Sequence, residues 1–123
     1  MEGVQELIAE IAHSTEAIAL HAKRDNYRRA GVREYLVVCL AEQELRWFDF
    51  EKGRDLRPNR QGVWKSRVFP GLWIDGPALL ARDASRLMEV VRQGIASRQH
   101  AAFVKRLAAA RRKRSQKERP HDR

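Results

Sequence analysis

Leu7-Ile8-Ala9-Glu10-Ile11-Ala12 is the stretch on which the fold turns, because it reads two ways. Val4, Leu7, Ile8 and Ile11 make a helical stripe, while Leu7, Ala9 and Ile11 alternate with Ile8, Glu10 and Ala12 as a strand does. The helix-forming tendency of Ala, Leu and Glu leans the local pattern toward helix. Under either reading Glu10 is the only charged group in the stretch. A carboxylate drawn out of water costs several kcal/mol on the order of magnitude unless a cation or hydrogen-bond donors meet it.

Outward from this stretch, Ser14 or Thr15 is placed as the N-cap of a helix over Glu16–Arg29, and Gly31 as the residue that ends it. Leu20, Lys23, Tyr27 and Ala30 share one face of that helix, so Lys23 should point toward protein. A carboxylate able to bind Mg²⁺, beside a lysine that positions water or stabilises charge, suits metal-assisted phosphodiester cleavage. The same two residues also read as a solvated Glu and a Lys that lays its stem along an amphipathic helix. Spacing leaves both readings open.

Further along, Tyr35-Leu-Val-Val-Cys-Leu40 is a buried-strand run, and Glu44–Phe50 alternates after a short connection, which predicts an antiparallel hairpin. Lys52–Asp55 reads as a turn, Pro58–Gly62 as loop, and Val63–Val68 as a strand ended by Pro70-Gly71. Trp73-Ile74-Asp75 leads toward a helical turn after Pro77. Asp83 caps a helix to about Ile95, and a second runs from about Arg98 to Arg112.

Composition narrows the function. With 43% hydrophobic and 33% charged residues the chain is too apolar to be disordered. It has no apolar run long enough to cross a bilayer, and its start lacks a secretory pattern, so a soluble, cytoplasmic protein is expected. A single cysteine, Cys39, excludes an internal disulfide and reads as a small buried hydrophobe. The net charge of +9 is unevenly placed: residues 105–123 hold nine Lys/Arg against two acids, the rest sixteen against fourteen. The run Arg111-Arg112-Lys113-Arg114 would attract phosphates without sequence preference, or serve only as a solubilising extension. His13, His21, His100 and His121 show no zinc spacing, no phosphate-cradling glycine motif is present, and the tryptophans read as core or cross-strand residues.

Leu7-Ile-Ala-Glu-Ile-Ala-His-Ser14, Lys23, and Tyr27-Arg-Arg-Ala-Gly-Val-Arg-Glu-Tyr-Leu-Val-Val38 together carry a resemblance. So do Glu44-Leu-Arg-Trp-Phe48 and Lys65-Ser-Arg-Val-Phe-Pro-Gly-Leu-Trp-Ile-Asp75. The chain resembles the Uma-type restriction endonucleases of the PD-(D/E)XK superfamily over nearly its whole length, from about residue 3 to 107. That resemblance implies an α/β fold, an incomplete restriction-endonuclease-like mixed sheet with flanking helices, followed by C-terminal helices. It makes Leu7–Ala12 a core strand, Glu10 a catalytic acid and metal ligand, Lys23 the catalytic lysine, and Ser14 and Tyr27 supporting residues near the cleft.

It further implies Mg²⁺ as cofactor and DNA as partner, and the charge run, read by itself, adds Arg111, Arg112, Lys113 and Arg114 as nucleic-acid contacts. Against the family pattern, the chain lacks the Asp that precedes the strand of Glu10, and Ala19 and Ala22 occupy acidic positions of the helix. The expectation is therefore a truncated endonuclease, weak or inactive alone, that forms a homo-oligomer or needs a missing N-terminal segment. The alternative is a non-catalytic module that binds nucleic acid or protein. Three units are expected: a nuclease-like half over 1–80, a helical extension over 81–112 and a basic disordered tail over 113–123.

Overall fold

The computed structural model describes residues 6–118, with side chains as far as Ser115. The apolar run after Arg33 becomes β2 (Glu34–Cys39), in which every residue is buried. It lies between β1 (Leu7–Ala12), parallel to it, and β3 (Glu44–Asp49), antiparallel to it. Two parallel strands need a crossover, and α1 (Leu20–Arg29) supplies it. The ambiguous stretch is thus a strand: β2 offers partners from Leu7↔Glu34 to Ala12↔Cys39, and that ladder overrides the local helical lean.

Alternation along β1 turns Ile8, Glu10 and Ala12 toward α1. There Ala12, Leu20, Tyr35, Val37, Cys39 and Phe48 form one core, with Ile8, Ile18, Tyr27 and Phe50 packed on it. The opposite face of the sheet carries Leu36, Val38, Leu45 and Trp47. A second, antiparallel sheet covers it, made of β5 (Val63–Lys65) and β6 (Trp73–Asp75), together with α2 (Gly76–Ala81). Trp47 stacks on Trp64 there, and Lys65 lies over the ring of its cross-strand partner Trp73, so these tryptophans are packing residues. The result is an α/β fold, a mixed sheet with one helix between its first two strands and, after it, α2, α3 (Ala84–Ile95) and α4 (Arg98–Glu118).

Several boundaries differ from the sequence reading. Helix α1 starts at Leu20, not at Glu16. Ser14 does cap a turn, its Oγ accepting from Ala17 N, but Thr15 is tied to Glu42 through its own N–H and hydroxyl, and Ala19 turns left-handed. Arg54–Asp55, expected within a turn, pairs with β3 as a two-residue strand, β4, after a turn that Gly53 makes at positive φ. Strand β5 stops at Lys65 because the amides of Arg67 and Val68 bond to a side chain, the Glu34 carboxylate, and not to a strand. Trp73–Asp75, read as a lead-in to a helical turn, is a strand.

Helix α4 passes Arg112 and continues to Glu118, so the expected disordered tail begins, over 113–118, as helix. Arg, Lys, Ala and Gln are good helix formers, and nothing between them breaks the run. The remainder of the expected tail, and Val4 of the helical stripe, lie outside the described residues. Among the described residues, no helix is long and apolar enough to cross a membrane.

Candidate active site

Glu10 projects from β1, the outer strand of the four-stranded sheet, onto the side covered by α1. Lys23 lies one turn into α1 and Tyr27 one turn further, so both fall on the helix face turned to that strand. Tyr35, on β2, pairs with Ile8 and shares the face of Glu10. Strand, helix and neighbouring strand thereby converge on a single carboxylate.

The geometry is close. Lys23 Nζ lies 3.0 Å from Glu10 Oε2, and the Tyr27 hydroxyl donates to the same oxygen at 2.8 Å. The Tyr35 hydroxyl donates to Oε1 at 2.9 Å. Tyr27 and Tyr35 also meet edge to face, with ring centroids 5.0 Å apart, so each ring braces the other. Burial alone would raise the Glu10 pKa; the bond from Lys23, then those from Tyr27 and Tyr35, outweigh it and hold the carboxyl below its ordinary range. The Glu10 carboxylate in turn raises the Lys23 pKa and, as its hydrogen-bond acceptor, that of the Tyr27 hydroxyl. Burial and then Glu10 raise Tyr35 still further. At neutral pH the site is a carboxylate, an ammonium and two neutral phenols.

Beside this cluster opens a cleft of about 480 Å³ lined by Glu10, Ile11, His13, Ile18 and Lys23, among others. Among the described residues, Glu10 is the only acid on its wall. The two residues that spacing singled out therefore meet. Tyr27, expected in support, is a direct partner of the acid. Ser14 does not reach it and serves the β1–α1 turn. Arg111, Arg112, Lys113 and Arg114 are exposed on α4 and line no part of this cleft.

Tyr35 was missed as a site residue. Its signal lay in strand register: a tyrosine on the strand paired with β1 is within reach of an acid two residues along on the same face. A second carboxylate, Glu34, was also missed. It is fully buried on the other face of β2, where Trp47 Nε1, the Ser66 hydroxyl and the amides of Arg67 and Val68 all donate to it. Glu34 thus fastens the Ser66–Val68 segment to the sheet. No sequence period reveals these bonds, because three of the four donors come from a loop.

The donor set decides what the cleft can hold. Both Glu10 oxygens already accept hydrogen bonds, and an ammonium occupies the place beside Oε2 where a cation would sit. Among the described residues, no three His, Cys, Asp or Glu side chains gather where they could hold a metal ion. A hard divalent ion wants six or more oxygens, of which one or two carboxylates are the usual protein share. One carboxylate that already accepts three hydrogen bonds, one of them from an ammonium, is a poor fit for that ion. What the arrangement offers instead is a fixed ammonium facing an open cleft, the geometry of a phosphate contact.

No curated protein and no solved structure matches the chain. A family model does, over residues 2–80, the segment that contains the sheet, α1, the cleft and the loop fastened by Glu34. Its description is Uma2, "Putative restriction endonuclease", and by that match the chain belongs to this family.

Proposed function

We propose that this chain is a DNA-directed member of its endonuclease family whose Glu10–Lys23 cleft is the phosphodiester-cleaving centre in reduced form. By itself it hydrolyses DNA weakly or not at all. Residues 1–80 make the nuclease-like unit, with Lys23 as the phosphate contact, Glu10 as the anion that positions it, and Tyr27 and Tyr35 as the donors that fix Glu10. The family implies a divalent metal. The cleft residues do not fit such an ion, and Glu10 as a metal ligand would require further acids beside it.

The single observation that supports this reading is the pairing of Glu10 with Lys23 at 3.0 Å beside an open cleft that, among the described residues, offers no second carboxylate. Nicking of supercoiled plasmid in Mg²⁺ or Mn²⁺ tests it. Wild type should give trace cleavage or none, and any trace should vanish in Glu10→Gln and in Lys23→Ala. Rapid multiple-turnover cleavage by this chain would overturn the proposal, as would cleavage indifferent to Glu10→Gln.

One observation favours a second reading, a non-catalytic binding module: Arg111, Arg112, Lys113 and Arg114 stand exposed on a helix away from the cleft. In that case Glu10→Ala and Lys23→Ala leave DNA affinity intact, while neutralising the four basic residues removes it.

A further inference from the structure

We infer that the distal part of α4 is a DNA-binding arm that enters the major groove with cations on every side; this rests on DNA being the ligand of the chain. The base of α4 is anchored. Phe103 meets Phe69 edge to face at 6.0 Å, and His100 Nδ1 lies 3.2 Å from the Pro70 carbonyl. A Cβ at Gly71 would overlap the His100 ring, so loop and helix are in close contact. From Val104 onward the helix leaves the body, and every residue through Ser115 is exposed. Val104–Glu118 spans about 22 Å at the usual rise per residue.

The cations of this arm do not gather on one face. At 3.6 residues per turn the six from Lys105 to Arg114 fall into three rows about a third of a turn apart: Lys105 with Arg112, Arg106 with Lys113, and Arg111 with Arg114. A helix lying on an anionic bilayer segregates its charge from a broad apolar face, and this one does not. Pairing with a second copy would set two such basic helices against each other. Glu118 is the only acid in α4, so that repulsion would find almost no compensation. A helix in the major groove, by contrast, has phosphates along both walls. The groove is about 12 Å wide, which admits a helix. The equivalent groove of duplex RNA is too narrow and deep.

Fluorescence anisotropy with a labelled 20-base-pair DNA duplex, measured across a salt series, tests the arm. Three double variants of the full chain are compared: Lys105→Ala/Arg112→Ala, Arg106→Ala/Lys113→Ala and Arg111→Ala/Arg114→Ala. Each row should matter comparably. Affinity at 0.1 M salt should fall on the order of tenfold per pair, and the slope of log K against log salt should lose roughly 1.8 in magnitude. A loss confined to one row would mean a one-sided contact and overturn groove entry. Binding of phosphatidylglycerol vesicles, or of duplex RNA, as tight as binding of DNA would overturn it too. Unaltered DNA affinity in all three variants would remove the arm but leave the DNA reading standing, whereas wild type failing to bind DNA would remove both.

Discussion

Glu34 is a buried carboxylate that accepts four hydrogen bonds, and its loss has a definite consequence. Glu34→Ala strands Trp47 Nε1, the Ser66 hydroxyl and two backbone amides. Buried donors without partners cost about 1–3 kcal/mol each, so a total loss of at least about 3 kcal/mol is expected in urea unfolding. Glu34→Gln keeps the shape but presents an amide nitrogen to donors, and should still cost about 2 kcal/mol. At Glu10 the expected readout is protonation. Glu10→Gln removes the acceptor that raises the Lys23 pKa, so the Lys23 ε-methylene resonance should titrate at lower pH than in wild type. An unchanged titration would mean the 3.0 Å pair does not persist in solution.

At the scale of elements, the joint between the Pro70-Gly71 loop and the C-terminal helices is the most exposed to substitution. Gly71 sits at φ +100 against His100, and Gly94 of α3 approaches the Gly71 carbonyl and Trp73 with no room for a methyl. Gly71→Ala and Gly94→Ala should each cost about 2–4 kcal/mol, read by thermal unfolding, with Gly71→Ala carrying an added backbone cost at positive φ. Asp83→Ala, which removes the cap on Arg86 N, should cost only about 1 kcal/mol. The hairpin of β2 and β3, the cap at Asp83 and the stop at Gly31 were legible in sequence, because each rests on local chemistry: alternation, an Asx cap, a left-handed glycine. Residues Leu7–Ala12 were not legible from their own pattern, since the β2 ladder that makes them a strand lies more than twenty residues away, and only the family resemblance pointed to strand. The late start of α1 was hidden for the same reason, as Thr15 answers to Glu42 across the sheet.

Across the whole molecule, a chain of ion pairs ties the first residues described to the middle of the sheet. Arg33 bridges Glu6 and Glu51, and Arg67 bridges Glu51 and Asp49. Arg33, then Arg67, hold the Glu51 pKa down at about 2, against an ordinary 4.5. At Asp49, burial raises the pKa but the Arg67 bond prevails and lowers it. Both groups bind fewer protons folded than unfolded, so their stabilisation is present above pH 4.5 and is lost as pH falls toward 2. The melting temperature should therefore drop steeply between pH 4.5 and 2, and more shallowly in Glu51→Gln.

The Glu10–Lys23 pairing was one of the two readings that spacing left open, and the family resemblance pointed to it. The further hydrogen bonds to Glu10 were not legible, since they depend on two hydroxyls whose positions only the packed sheet and helix define. The poor fit of this hydrogen-bonded carboxylate to a divalent ion is most directly tested by Mn²⁺ titration, followed through paramagnetic broadening of the Lys23, Tyr27 and Tyr35 side-chain signals. The expected result is no saturable broadening at these residues and no difference between wild type and Glu10→Gln. Saturable broadening centred on Glu10 and abolished by Glu10→Gln would contradict it.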